Sequence, residues 1–324
     1  MHFRLGTNSS IEDTIPVVAK KHRLSFRWRE ALAGYLFVAP VVLGLLIFTL
    51  IPLLSALYYS FTDYDLLTRA NWVGLANYQE LWHDPLWFKS LLVTLTYALI
   101  SVPLGLIGSL GLALLLNRDV VGTRLWRAIF YLPVIFPVVA GALIWGNMFN
   151  PQNGLLNFIL VHLHFPPYTW LQEPESALPS LIILSLWSIG GSMLIWISGL
   201  RAVPEQLYEA AKIDGANTWQ QFYKITLPML SPVIFFNAII GLINSLQLFA
   251  QAQVITENGP GHIAGGPLHS TFFIAIYIYQ EAFQNFRMGY ASAIAWMLFL
   301  LIGGLTLLLF RTSSWVYYEG GDRS

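Results

Sequence analysis

Six long apolar segments, none with a charged residue in its middle, constrain this chain more than any other feature. A helix needs about 20 apolar residues to cross the hydrocarbon core of a bilayer, and each segment reaches that length. Charged residues make up only 10% of the 324 residues, too few for the surface of a soluble protein of this size. The sequence therefore predicts an all-α integral membrane protein with six transmembrane helices, near 31–58, 90–116, 126–149, 177–200, 232–254 and 289–310.

Lys and Arg residues divide unevenly between the segments that flank and connect these spans. Fourteen fall in the N-terminal arm, the second and fourth connections and the tail, whereas three fall in the other connections. Positive charge accumulates on the cytoplasmic side of membrane proteins, so both termini are predicted to be cytoplasmic. The predicted organisation is a cytoplasmic arm at 1–30, a six-helix membrane domain at 31–311 containing a cytoplasmic loop at 201–228, and a cytoplasmic tail at 312–324.

The sequence lacks the residues that several transport and enzyme mechanisms need. No ionisable residue lies in the middle of a span, which argues against a proton pump or proton-coupled carrier but leaves sodium coupling through backbone carbonyls open. The sequence contains no phosphate-binding loop, no zinc-protease helix motif, no nucleophile elbow and no cysteine. Energy from ATP would therefore enter through another polypeptide. A stand-alone membrane enzyme or assembly factor and a secondary carrier are the alternative functions.

Uncharged polar residues concentrate in the predicted fifth span. Asn237, Asn244 and Gln251 share one helical face with positions 241 and 248, and Gln247 lies beside that face. Amides are costly against lipid, so this face is predicted to look into protein or water. It could line a path for a hydroxyl-rich solute or join helices by amide hydrogen bonds, and the stripe alone favours neither. The small residues at 188–192 are interpreted as close helix packing.

The connection at 201–228 has the strongest local signals. Pro204 suits the first position of a helix, and Gly215 can take the left-handed conformation that ends one. Asn217, with a Gln three residues later, has the spacing of a capping box, and the second helix is predicted to end before Pro228. The loop carries no nucleophile–base pair or metal-ligand set. It is interpreted as a docking element, the alternative being an amphipathic loop on the membrane surface.

This connection also resembles the EAA loop of binding-protein-dependent ABC importer permeases. The residues that match are Glu209-Ala210-Ala211, Asp214-Gly215-Ala216, Phe222 and Ile225-Thr226-Leu227-Pro228. The rest of the chain resembles the sugar-permease branch, the maltose (MalF-type) or glycerol-phosphate-type first subunit, at Gly74-Leu75-Ala76-Asn77-Tyr78, Leu132-Pro133, Trp145, Phe149-Asn150-Pro151, Gly154-Leu155-Leu156-Asn157, Gln247, Phe249, Thr256, Gly259-Pro260, Tyr277, Tyr279, Ala282-Phe283 and Gly289-Tyr290-Ala291-Ser292-Ala293. Two outer segments depart from that branch: the loop between the third and fourth spans is short, and 255–270 is long and rich in Gly and Pro.

The resemblance implies the type I ABC importer permease fold, with a cytoplasmic coupling helix, in the prokaryotic inner membrane. The chain would be a permease subunit and not an enzyme, forming half of the pore of an ATP-driven carbohydrate importer for an oligosaccharide, disaccharide or polyol glycoside. Its partners would be a second permease subunit, a dimer of ABC ATPases that binds ATP and Mg, an extracytoplasmic solute-binding protein and membrane lipid, without nucleic acid. The chain itself would bind no cofactor or metal.

The resemblance also assigns roles to particular residues. Coupling to the ATPase is implied for Glu209, Ala210, Ala211, Asp214, Gly215, Ala216, Phe222 and Pro228. The resemblance favours a solute path over simple packing for the fifth-span amides, which are Asn237, Asn244, Gln247 and Gln251.

Overall fold

The computed structural model describes residues 22–118, 121–257 and 265–316, and all regular structure in those ranges is helical. The predicted arm up to residue 21, the Gly259-Pro260 motif and the end of the tail from 317 lie outside the described residues. The α-helices are α1 His22–Leu45, α2 Ile51–Tyr59, α3 Ala76–His83, α4 Pro85–Leu116, α5 Thr123–Ile135, α6 Val138–Met148, α7 Leu155–His162, α8 Pro174–Leu186, α9 Gly190–Ala202, α10 Glu205–Ile213, α11 Thr218–Gln221, α12 Leu227–Met229, α13 Ser231–Leu246, α14 Ala250–Glu257, α15 Ile274–Tyr279 and α16 Met288–Arg311. Three π-helical turns lie at Leu46–Leu50, Phe222–Thr226 and Gln280–Gln284, and 3₁₀ turns lie at Pro267–His269 and Ser313–Trp315.

Six segments of the described chain are long and apolar enough to cross a membrane, if each bent pair of helices counts as one. Three do so as continuous helices: Glu30–Tyr59, α4 and α16. The other three are pairs bent by 99° between α5 and α6, by 47° between α8 and α9, and by 63° between the α11–α12 leg and α13. These segments confirm the predicted all-α fold with up to six spans.

Proline chemistry accounts for part of this bending. Pro137 stands at the N-cap of α6, between the two helices that meet at 99°. Proline interrupts a helix because it lacks an N–H and its ring clashes with the preceding turn. In the first span, the π-helical turn at Leu46–Leu50 directly precedes the segment with Pro52. Pro103, by contrast, lies within the continuous helix α4. A sharp bend therefore coincides with Pro137, whereas the helix continues through Pro103.

The chain divides into two compact units, residues 1–55 and 56–324. The described part of the first unit is one apolar helical segment that runs on into α2. None of the residues from Leu46 to Tyr59 is buried. A helix that is apolar on all sides and exposes those sides is suited to contact with lipid or with another helix.

Helix α4 is the centre of the second unit, where it packs against α8, α9, α13 and α15. The larger apolar cluster includes the fully buried Phe272, Phe273 and Leu181. A smaller cluster surrounds Trp196 of α9, whose indole N–H donates to Ser109 Oγ of α4 over 2.9 Å. These contacts hold the helices that carry polar residues in a defined register.

Two polar side chains tie the ends of helices to neighbouring loops. Asn77, part of the Gly-Leu-Ala-Asn-Tyr segment, is buried and donates from Nδ2 to the carbonyl oxygens of Ser60 and Thr62 over 2.9 and 2.8 Å. Asp84 caps α4 and accepts from the hydroxyls of Tyr277 and Tyr290. Burial, followed by the bond to the Asp84 carboxylate, raises the pKa of Tyr277, which keeps this hydroxyl a donor.

The fifth span differs from its predicted course. A continuous helix was expected over 232–254, but α13 ends at Leu246 and α14 begins at Ala250. No Pro or Gly lies at 247–249 to signal the break. Helix α14 packs instead against α6 and buries Ala252 and Ile255 almost completely. Tertiary packing has therefore overridden the local preference for one long helix.

Candidate coupling loop and polar cavity

The segment from 201 to 228 is called the coupling loop below, and its first complete helix is the exposed α10. Pro204 occupies its N-cap instead of its first helical position, and Glu205 lies in the first turn, where a carboxylate favours the helix dipole. No residue of α10 is buried. Glu209 and Ala210 are exposed and Ala211 is half-buried, so the small residues form an approachable surface.

A tight turn ends α10 as the sequence predicts. Gly215 has φ +77°, a left-handed conformation that residues with a Cβ resist. The Gly215 and Ala216 amides donate to the carbonyl oxygens of Lys212 and Ala211 over 3.1 and 2.8 Å, which is the hydrogen-bond pattern of a Schellman motif. Asp214 is the exposed C-cap residue. The turn depends on the backbone, because a Cβ at Gly215 would meet no atom within 4 Å.

The second helix of the loop starts with the predicted capping box. Asn217 Oδ1 accepts from the Gln220 amide over 2.9 Å, and Gln220 Oε1 accepts from the Asn217 amide over 2.8 Å. In addition, Gln221 Nε2 donates to the Ala216 carbonyl over 2.9 Å. These bonds connect the turn to α11 and confirm the helix–turn–helix form of the loop.

The end predicted for this second helix is wrong. The backbone stays helical through Pro228, because a π-helical turn at Phe222–Thr226 joins α11 to α12. The Leu227 amide donates to the Phe222 carbonyl across this wider turn. Pro228 then lies in the first turn of α12, where a missing N–H is tolerated. Phe222 is half-buried and Pro228 is exposed.

A cavity of about 230 Å³ lies among α4, the α8–α9 pair and the α13–α14 segment. Asn237, Asn244 and Gln251 line it, together with Gly241 and Leu248. The predicted polar face is thus brought together even though the helix breaks within it. Gln247 is exposed and does not line the cavity, which separates it from the other three amides.

Hydroxyl groups from two other spans line the same cavity, and the sequence reasoning missed them. Tyr97 and Ser101 come from α4, and Ser185 comes from α8. The signal was present in their spacing: 97, 101 and 105 recur at every fourth residue, and 185, 188 and 192 recur at intervals of three and four. The prediction considered the polar residues of the fifth span only and therefore missed the matching polar stripes on the two neighbouring spans.

The packing interpretation of 188–192 is correct for one residue and wrong for two others. A Cβ on Gly190 would lie 1.9 Å from the Phe130 carbonyl oxygen, so α9 approaches the α5 backbone closely there. Ser188 and Ser192 instead line the cavity. Ser192 lies two positions after Gly190 on α9 and so points in a different direction, and Ser188 lies in the bend between α8 and α9.

The chemistry of the cavity is neutral and hydrogen-bonding. Its lining contains amides and hydroxyls but no Asp, Glu, Lys, Arg or His. Asn237 is 6% exposed and donates from Nδ2 to the Val233 carbonyl over 2.9 Å, which fixes the orientation of its amide. Amide and hydroxyl groups both donate and accept hydrogen bonds. Such a surface matches a solute rich in hydroxyl groups.

Sequence comparison identifies the family. The model of the family described as binding-protein-dependent transport system inner membrane component matches residues 87–315. The chain belongs to this family. The match takes in all three cavity-lining spans and the whole coupling loop.

Named relatives agree with the assignment. The permease is 44% identical over 308 residues to YesP, a probable ABC transporter permease protein of Bacillus subtilis (strain 168), with 94% of this chain and 97% of the relative covered. It is 33% identical over 287 residues to MalF, a trehalose/maltose transport system permease protein of Thermococcus litoralis, with 88% and 95% covered. The permease is therefore a multi-pass transport subunit of the inner membrane and not an ATP-hydrolysing enzyme.

A solved structure supports the fold. The permease matches a chain of a bacterial ABC transporter involved in the import of the acidic polysaccharide alginate, with a TM-score of 0.78. The two are 23% identical, and 90% of this chain and 98% of that chain are covered. The type I ABC importer permease fold implied by the resemblance is confirmed.

Proposed function

We propose that the permease forms half of the translocation pore of an ATP-driven importer for a carbohydrate such as an oligosaccharide, a disaccharide or a polyol glycoside. The observation that carries the proposal is the cavity, in which Asn237, Asn244 and Gln251 meet the hydroxyls of Tyr97 and Ser101 without a charged residue. Sugar hydroxyls can both donate to and accept from such groups. The trehalose/maltose role in the name of the Thermococcus litoralis relative points the same way.

The size of the cavity favours a shared site. Its volume of about 230 Å³ is below the roughly 300–1,000 Å³ of typical ligand pockets. A second permease subunit facing this one would complete the enclosure. The amides of α13 and α14 would then bind one side of the solute, and the partner would bind the other.

The coupling loop is the proposed contact with the ATPase. Glu209, Ala210 and Ala211 would lie against an ATPase subunit, because α10 is exposed and carries small side chains. Asp214, Gly215 and Ala216 form the turn that presents this helix, and Phe222 and Pro228 lead from it into α13. A dimer of ABC ATPases would bind ATP and Mg, while this chain would bind no cofactor or metal.

The remaining partners follow from the same scheme. An extracytoplasmic solute-binding protein would deliver the sugar to the side opposite the coupling loop. The loop carries three Lys and Arg residues and the connection at 117–125 carries two, against none in the opposite connection at 150–176, which supports an orientation with both termini in the cytoplasm. Membrane lipid would surround the exposed apolar helices, and nucleic acid has no role.

The decisive experiment is reconstitution of the assembled complex. The tagged permease is co-expressed with its neighbouring ATPase and second permease, purified in mild detergent and placed in proteoliposomes with the binding protein. Uptake of radiolabelled neutral oligosaccharides and glycosides is measured with ATP inside the vesicles. The expected result is uptake that requires both ATP and the binding protein.

Two results would contradict the proposal. One is purification of the permease alone from membranes that contain the ATPase and the second permease. The other is uptake driven by an ion gradient and indifferent to ATP, which would revive the secondary-carrier alternative.

A further inference from the structure

One side-chain bond joins the docking helix to the base of the fifth span. The Tyr208 hydroxyl and Thr226 Oγ1 lie 2.9 Å apart. Tyr208 belongs to α10, and Thr226 is the last residue of the π-helical turn. Tyr208 is half-buried and Thr226 is 6% exposed, so this bond is formed in a sheltered position within an otherwise exposed loop.

Helix α10 has little else to hold it against that segment. None of its residues is buried. Among the described residues, Tyr208 is the α10 side chain with a hydrogen bond to another element. The other connection is the covalent turn at Gly215, which the Asn217 capping box and Gln221 stiffen. A turn transmits a pull along the chain, but a second attachment point is needed to transmit rotation.

The bond meets the backbone close to the bend that leads into α13. The Leu230 amide donates to the Thr226 carbonyl over 2.9 Å, and Leu230 is fully buried at the bend. Beyond the bend, α13 carries Asn237 and Asn244 into the cavity. A displacement of α10 therefore reaches the helix that lines the cavity through Thr226 and Leu230.

We propose that Tyr208 and Thr226 are positioning residues for coupling, because their hydrogen bond makes α10 and the π-helical turn move as one body. The inference rests on the proposed function, in which an ATPase displaces α10. When the ATPase moves α10, the bond forces the leg from 218 to 229 to follow, and α13 is reoriented at the cavity. Without it, α10 can rotate about the Gly215 turn while α13 stays in place.

The test compares variants that remove one hydroxyl with variants that keep it. Tyr208→Phe and Thr226→Val each remove the bond with nearly unchanged volume. Thr226→Ser keeps the hydroxyl, and Tyr223→Phe removes an exposed hydroxyl for which the described chain shows no hydrogen bond. The measured quantity is ATP hydrolysed per solute imported by the complete complex in proteoliposomes, with the amount of assembled complex determined in parallel.

The expected result is a rise of about fivefold in ATP consumed per solute for Tyr208→Phe and for Thr226→Val, the factor that one hydrogen bond represents. The double variant should be no worse than Thr226→Val, because both single variants remove the same bond; Thr226→Val also loses the 3.4 Å bond from Thr226 Oγ1 to the Gln221 carbonyl. Thr226→Ser and Tyr223→Phe should keep the wild-type ratio. Such coupling energy is the evidence that a proposed transmission route requires.

Two results would overturn the inference. A wild-type ratio in Tyr208→Phe and Thr226→Val, even with less complex assembled, would reduce the bond to a structural role. Additive effects in the double variant would mean that the two hydroxyls act separately. Failure of the proposed function is distinguishable, since the wild-type complex itself would then show no ATP-driven uptake.

Discussion

The coupling loop and the cavity are built on neighbouring parts of the chain but are held together differently. The Gly215 turn and the Asn217 cap use partners no more than five residues away. The cavity collects side chains from Tyr97 to Gln251, on three spans. The shape of the docking element therefore follows from local backbone chemistry, whereas the surface that faces the solute exists only after the helices pack.

The largest expected effect lies beside the cavity, where one backbone leaves no room for a side chain. Gly190→Ala would place a methyl group 1.9 Å from the Phe130 carbonyl oxygen, so α5 and α9 must separate, at a cost of about 3 kcal/mol. Thermal unfolding of the purified permease should show a clear loss of stability. Gly111→Ala is the matched control, because nothing lies within 4 Å of that position, and equal loss in both variants would refute the packing argument.

The next effect separates backbone conformation from contacts in the coupling loop. Gly215→Val should import little solute although ATP is still hydrolysed, because a β-branched residue at φ +77° is disfavoured by about 2 kcal/mol. Uptake and ATP hydrolysis are measured together in vesicles. Gly215→Asn, which tolerates this conformation, should retain most coupling. Full uptake by the Val variant would show that the turn is not needed.

A smaller effect is expected for a single amide in the cavity. Asn244→Leu should raise the KM for solute uptake about tenfold, since one neutral hydrogen bond is lost, while the partners still co-purify. Asn147→Leu is a control, because Asn147 is an amide of α6 outside the cavity. Gln247→Leu should also have little effect, and equal losses at 244 and 247 would mean that the amide stripe serves packing.

The smallest effect tests the cap of the second loop helix. Asn217→Ala removes the capping-box bond that Asn217 Oδ1 accepts from the Gln220 amide and should destabilise α11 by about 1 kcal/mol. Faster amide hydrogen exchange over 217–226 would report the loss. Asn217→Asp retains an acceptor and should exchange like the wild type, so fast exchange in that variant would argue against the capping explanation.

The parts predicted correctly from the sequence share a short range of interaction. The predicted spans follow from runs of apolar residues, and the Gly215 turn follows from the conformations open to glycine. The capping box at Asn217 needed only a donor and an acceptor three residues apart. None of these features depends on what packs against the segment.

The predictions that failed involve competition between local and distant interactions. Pro228 ends no helix, because a π-helical turn places it where its missing N–H does no harm. The fifth span breaks after Leu246, because α14 buries Ile255 against its neighbours. Ser188 and Ser192 line the cavity, whereas Gly190, between them, packs against the backbone of α5.

The sequence by itself determined the membrane class, up to six apolar spans, the helix–turn–helix loop and the polar stripe at 237, 244 and 251. Composition, dihedral preference and helical period act within a few residues, so no partner was needed. The tertiary structure alone decided that Gln247 stays outside the cavity, that Tyr97 and Ser101 line it with the stripe, and that Tyr208 reaches Thr226. Each of these depends on contacts between helices, whose free energy is set by packing and burial after the chain has folded.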